Sequence, residues 1–144
     1  MQQKAVLGRC LCGAVRFELS PPLREVIVCH CRQCARWTGY AVAATAVAPE
    51  NFTLLSGAAE LKWYSSSSHA ERGFCAVCGS SLLWKPADGS RLSVLAGSLE
   101  PPTGLEIGAH IFVSAKSDYY AIEGDAPQFA EGAGSFALPP EDRV

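Results

Sequence analysis

Cys29-His30-Cys31-Arg32-Gln33-Cys34 puts three thiols within six residues, and the reading of this stretch decides how the rest of the 144-residue chain is organised. Two more pairs flank it, Cys10-Leu11-Cys12 upstream and Cys75-Ala76-Val77-Cys78 downstream. Met1-Gln2-Gln3-Lys4 runs straight into a short apolar stretch and carries no leader-like apolar core, so a reducing, cytoplasmic setting is expected. Seven cysteines in such a setting read as zinc ligands before they read as disulfides. Zinc takes four protein ligands where it is structural and leaves one position to a non-protein ligand where it is catalytic. The close spacing of Cys29, Cys31 and Cys34 curls the chain around one ion and supplies three sulfurs. Cys10, Cys12, Cys75 and Cys78 then make a set of four that staples two distant parts of the chain, and every thiol has a place.

Other readings of the same thiols remain open at this point. A CxC or CxxC pair can be a disulfide, although the odd total argues against full pairing. Cys31-Arg32-Gln33-Cys34 as a redox dithiol would need a βαβ context that the pattern does not offer. The three-cysteine cluster could recruit His69 or His110 as a fourth ligand and become purely structural. His69-Ala70-Glu71 followed by Cys75-Ala76-Val77-Cys78 matches the outline of a zinc deaminase, but Phe74 stands where that pattern has proline, and five cysteines would be left without a role.

A chain of this length suits one domain and buries roughly 70% of its unfolded surface, so a metal adds to a core and does not replace it. Apolar residues at 49% and charged residues at 18% fit a globular protein. Twelve basic against fourteen acidic residues, scattered along the chain, offer no patch for nucleic acid. No apolar run approaches a membrane span.

Val15, Phe17 and Leu19 alternate with Arg16 and Glu18, the period of a strand with one buried face. If that extended backbone reaches back to the first pair, Cys10 and Cys12 point the same way, and Gly13 permits a turn. Glu25 to Val28 is a β-branched run that delivers Cys29, and Arg32 to Trp37 suits a helical turn broken at Thr38-Gly39. Further strands are expected at 41–47, 52–55, 61–64, 82–84, 92–95 and 109–113, with a loop at Ser65 to Ser68, a hairpin turn at Pro86-Ala87-Asp88-Gly89 and a loop from Gly97 to Gly108. In Cys75-Ala76-Val77-Cys78-Gly79 the glycine relieves the left-handed backbone of a zinc knuckle. The expected fold is mainly β: one zinc-stapled domain over residues 1–129, of many short antiparallel strands with one or two helical turns, and a C-terminal tail, 130–144, wrapped on the surface or frayed.

An open three-thiolate zinc would be a weak Lewis acid, better suited to holding an incoming thiol as thiolate than to activating water. The sulfur so held is a nucleophile for a small electrophile such as an aldehyde. Arg32 and Arg36, beside Cys31 and Cys34, are candidates to bind a carboxylate on the thiol, and Arg72 beside the second knuckle has similar standing. Each could equally be a solvated surface arginine.

Gly8-Arg9-Cys10-Leu11-Cys12-Gly13-Ala14-Val15, Cys29-His30-Cys31-Arg32-Gln33-Cys34, Thr38-Gly39, Arg72-Gly73-Phe74-Cys75-Ala76-Val77-Cys78-Gly79-Ser80 and His110-Ile111-Phe112-Val113 with Lys116 together resemble the glutathione-dependent formaldehyde-activating enzyme family, which includes centromere protein V. The resemblance runs from about Ala5 to Phe129. It implies a β-rich fold, a structural zinc on Cys10, Cys12, Cys75 and Cys78, and a catalytic zinc on Cys29, Cys31 and Cys34. The implied reaction is that of an S-(hydroxymethyl)glutathione synthase, a carbon-sulfur lyase that joins glutathione to formaldehyde. A small thiol and an aldehyde are therefore the expected partners, with no nucleic acid and no membrane, and the oligomeric state is not legible. A non-catalytic zinc module that binds a partner is the alternative. His110 and Lys116 fit the family pattern and read as a structural histidine and a surface lysine. Val42, Tyr119 and Ala126 depart from it, standing where an aromatic, a tryptophan and a leucine are common in the family.

Overall fold

The computed structural model describes residues 3–132. Its regular elements are β1 (Val6–Arg9), β2 (Arg16–Leu19), β3 (Val26–Cys29), α1 (Arg32–Thr38), β4 (Val42–Val47), β5 (Phe52–Ser56), β6 (Leu61–Ser67), β7 (Ala70–Cys75), β8 (Ser81–Pro86), β9 (Leu92–Leu95) and β10 (Ile107–Ile111), with three short 3₁₀ turns. A three-stranded sheet runs in the order β1-β2-β5, and a seven-stranded sheet in the order β10-β3-β4-β9-β8-β7-β6. The mainly β expectation holds. Strand pairing is antiparallel except between β10 and β3, which run parallel. Parallel neighbours need a long connection, and most of the chain lies between these two.

The alternation in β2 does what its period requires. Val15, Phe17 and Leu19 are fully buried, and Phe17 stacks on Phe52 of β5 with ring centroids 5.1 Å apart. They join Val47, Leu82, Leu83, Leu92 and Val94 of the larger sheet in one apolar core, so the two sheets pack face to face. Gly8 pairs with Phe17 across the small sheet, and a Cβ there would run into the phenyl ring. That close approach explains the glycine two residues before Cys10.

Two expectations change, and the chain around the expected tail boundary finds partners. The serine run expected as a loop is strand: β6 continues to Ser67 because β7 supplies ladder partners, Ser65 opposite Glu71 and Ser67 opposite Ala70, and pairing overrides serine's weak strand preference. Cys10 and Cys12 do not lie in extended backbone; they sit in the turn after β1, where Gly13 N–H donates to the Cys10 carbonyl at 3.1 Å with Gly13 at φ +81°. Residues 127–131 run along β10: His110 N–H donates to Pro127 O, Phe129 N–H to His110 O and Phe112 N–H to Glu131 O, at 2.8, 2.9 and 3.1 Å. Of the tail expected at 130–144, residues 133–144 lie outside the described residues.

Candidate metal centres

Two turns build the four-cysteine site. The first follows β1 and carries Cys10 and Cys12; the second follows β7, where Gly79 at φ +79° donates its N–H to the Cys75 carbonyl at 2.8 Å. The hydroxyl of Ser80 accepts from the Leu11 amide at 2.9 Å and so clamps one turn to the other. Cys10 and Cys12 sulfurs lie 3.6 Å apart, and those of Cys12 and Cys75 lie 3.9 Å apart. Tetrahedral zinc with bonds of about 2.3 Å requires sulfur separations of about 3.8 Å, and these two separations fit such an ion. The Cys78 thiol is pulled down to about 5, chiefly by the Ser80 hydroxyl 3.2 Å away.

The three-cysteine site forms where β3 hands over to α1. The β-branched run Val26-Ile27-Val28 carries Cys29 to the strand end, Cys31 caps the helix with its sulfur accepting the Cys34 amide at 3.3 Å, and Cys34 lies buried in the first turn. The three sulfurs lie within 4.8 Å of one another, and among the described residues no histidine, aspartate, glutamate or further cysteine joins the group. The close Cys29 and Cys34 thiols draw the Cys31 thiol down, while Cys29 is pushed up by its contacts with Cys31 and Cys34.

The fourth-ligand and deaminase readings do not survive the geometry. His110 is buried 2.9 Å from His30, and His69 is exposed in the β6–β7 turn. Glu71 pairs with Lys85 at 3.6 Å, and Cys75 and Cys78 belong with Cys10 and Cys12. All seven thiols are free. Arg32 and Arg36 are exposed on α1, and Arg32 donates to Ser117 Oγ at 2.7 Å. A cleft lined by Arg9, Leu11, Ser80, Ser98 and Glu100 borders the four-cysteine site and does not include Cys29, Cys31 or Cys34.

Several neighbours of the three-cysteine site were not legible beforehand. His30 is 4% exposed; its Nδ1 lies 2.6 Å from Tyr120 Oη and its Nε2 lies 2.9 Å from His110 Nδ1. Burial holds both imidazoles below the usual histidine range, with the nearby His110 and Lys116 adding to the effect at His30, and burial also raises the Tyr120 phenol. The only sequence signal for His30 was its place between two ligands. Lys116 is not a free surface lysine: its Nζ donates to the carbonyls of Ser117, at 2.8 Å, and Tyr120. Tyr40 and Tyr119 lie beside the Tyr120 ring, at 4.7 and 5.3 Å, and Val42 packs on Cys34. Arg72, read as a neighbour of the second knuckle, turns instead toward the three-cysteine site. It is 4% exposed, with Nη1 3.9 Å from Cys34 Sγ, Nη2 donating to Gln33 Oε1 at 2.6 Å and the guanidinium 4.7 Å from the Trp37 ring.

Comparison with known proteins agrees with this architecture. The model of a family described as glutathione-dependent formaldehyde-activating enzyme matches residues 5–115. A Schizosaccharomyces pombe protein named an uncharacterized lyase is 25% identical over 123 residues, covering 85% of this chain and 88% of the relative. A crystal structure of a Rhodobacter sphaeroides protein is similar in fold, with a TM-score of 0.59 at 22% identity over 85% of this chain and 98% of the other. No helix among the described residues is long and apolar enough to cross a membrane.

Proposed function

Because the chain belongs to the glutathione-dependent formaldehyde-activating enzyme family, we propose that it is a zinc-dependent carbon-sulfur lyase that joins a small thiol to a small aldehyde. One observation carries the reading: three sulfurs converge within 4.8 Å with no fourth protein ligand among the described residues. Zinc in that donor set would keep an incoming thiol deprotonated at neutral pH. Cys29, Cys31 and Cys34 hold the ion at the junction of β3 and α1, and Arg32 and Arg36 bind a carboxylate of the thiol. A carbon-sulfur bond forms at the carbonyl carbon and the thiol proton ends on the carbonyl oxygen, so nothing is oxidised or reduced. Glutathione and formaldehyde are the first pair to assay, and the seven free thiols suit a reducing cytoplasm.

The test is zinc stoichiometry with and without glutathione. Two zinc ions per chain are expected, one of them lost faster to a chelator and protected by glutathione. A single zinc, or two that leave together and ignore glutathione, would overturn the reading. Turnover is measured as thiol-dependent formaldehyde consumption above the spontaneous addition.

A further inference from the structure

Burying a guanidinium without an anion is expensive, and buried arginines are almost always paired. Arg72 is buried, yet among the described residues the only side-chain ion pairs are Arg9 with Glu100 and Lys85 with Glu71. Its Nε finds no hydrogen-bond partner. What Arg72 does face is a neutral amide oxygen, an indole ring and a cysteine sulfur. The sulfur is the one neighbour of the three that can carry a full negative charge.

We propose that Arg72 is the buried counter-ion of the three-cysteine centre and keeps that centre able to accept an anionic fourth ligand. The inference rests on a metal at Cys29, Cys31 and Cys34, as proposed above, but not on the lyase reaction. Three thiolates and one divalent ion sum to one negative charge, which the guanidinium neutralises. An entering anion then meets a neutral site. Without Arg72 it would meet a site of its own sign, inside protein where water screens poorly. Gln33 fixes the geometry: its Oε1 takes one arm of Arg72 while its Nε2 donates to the Ser66 carbonyl at 3.1 Å, tying the β6–β7 hairpin to α1. The four-cysteine site has no comparable partner. None of its sulfurs lies against a buried cation among the described contacts, and Cys12 is exposed.

The test uses the full chain loaded with cobalt(II), whose visible spectrum reports thiolate coordination, and azide as a fourth ligand unrelated to the lyase substrates. Arg72→Met is expected to weaken azide binding roughly 10- to 100-fold, the loss of one charge at about 6 Å in an effective dielectric near 20. Its thiolate-to-cobalt charge-transfer band should move to longer wavelength, because the sulfurs lose a neighbouring cation. Arg72→Lys, which keeps the charge, should stay within about threefold of the parent. Should Arg72→Met not fold, Gln33→Glu cancels the same charge by placing a carboxylate on the guanidinium, and the same weakening is expected. Azide binding unchanged in Arg72→Met or in Gln33→Glu would overturn the proposal, and so would an Arg72→Lys protein as weak as Arg72→Met. A protein that makes no lyase product but shows the charge-dependent azide series would leave this inference standing and remove only the reaction.

Discussion

The four-cysteine site joins two turns whose cysteines, Cys12 and Cys75, lie 63 residues apart, whereas the three-cysteine site takes all its donors from one six-residue stretch. Both present sulfurs within 4.8 Å of one another. The difference lies in what each closes. Four donors from two distant turns would close a long loop and saturate a metal, which is a use for folding. Three donors from one strand-to-helix junction close almost nothing, because β3, β4 and α1 already hold them. Their neighbours are also of another kind: His30, Tyr120, Gln33 and Arg72 surround the local site, while Ser80 and backbone amides surround the long-range one.

The largest effect should come from breaking the long-range site. Cys75→Ser removes a fully buried sulfur and one of the two turns' anchors. Structural zinc contributes apparent folding free energies of about 10–16 kcal/mol in zinc-finger peptides, against a whole-domain stability of about 5–15 kcal/mol. The variant should aggregate or lose its cooperative thermal transition. A Cys75→Ser protein that melts cooperatively within a few degrees of the parent would show that the core between the sheets stands without the staple.

Cys31→Ser should do the opposite. The helix cap can be kept by the serine hydroxyl, since serine is a preferred cap residue, and the main core between the sheets lies elsewhere. Zinc content should fall from two per chain to one, Tm should move by only a few degrees, and thiol-dependent formaldehyde consumption should drop by more than about 100-fold. Calorimetry and metal analysis on the same sample check all three. Retention of turnover with one zinc would move the chemistry away from this cluster.

That contrast marks how far the sequence could be read. How the cysteines group was legible because number and spacing are local arithmetic: three close thiols, and two pairs left to make four. Period-two alternation placed β2, and the β-branched run before Cys29 placed β3. What escaped were features set by register across the sheet. Arg72 is three residues from Cys75, and proximity in the chain suggested the wrong site. In β7 the chain carries Arg72 opposite Tyr64 and Trp84, while Cys75 lies at the strand's end, so one strand serves both centres. The strand identity of Ser65 to Ser67 was hidden for the same reason, since serine gains its pairing only from β7. Tyr120 sits 90 residues from His30, and no periodicity links them.

The smallest effects are expected at the exposed arginines, and they separate substrate binding from metal chemistry. Arg32 and Arg36 stand four apart on α1, on one face of the helix beside the local cluster, and both are solvent-exposed. Exposed charge pairs contribute about 0.2–1 kcal/mol and weaken with salt, so Arg32→Ala should raise the KM for glutathione by about two- to fivefold and leave kcat unchanged. The Ser117 hydroxyl loses its donor in that variant, a local cost that would be the same for every thiol. 2-Mercaptoethanol has no carboxylate for Arg32 to bind, so if carboxylate binding is what Arg32 contributes, its KM should be the same in the parent and in Arg32→Ala. An equal rise for both thiols would mean that Arg32 shapes the loop around Ser117 and does not bind the cosubstrate. A rise for glutathione alone that fades at high salt would place the carboxylate on α1, next to the one cysteine site whose donors leave room for a ligand.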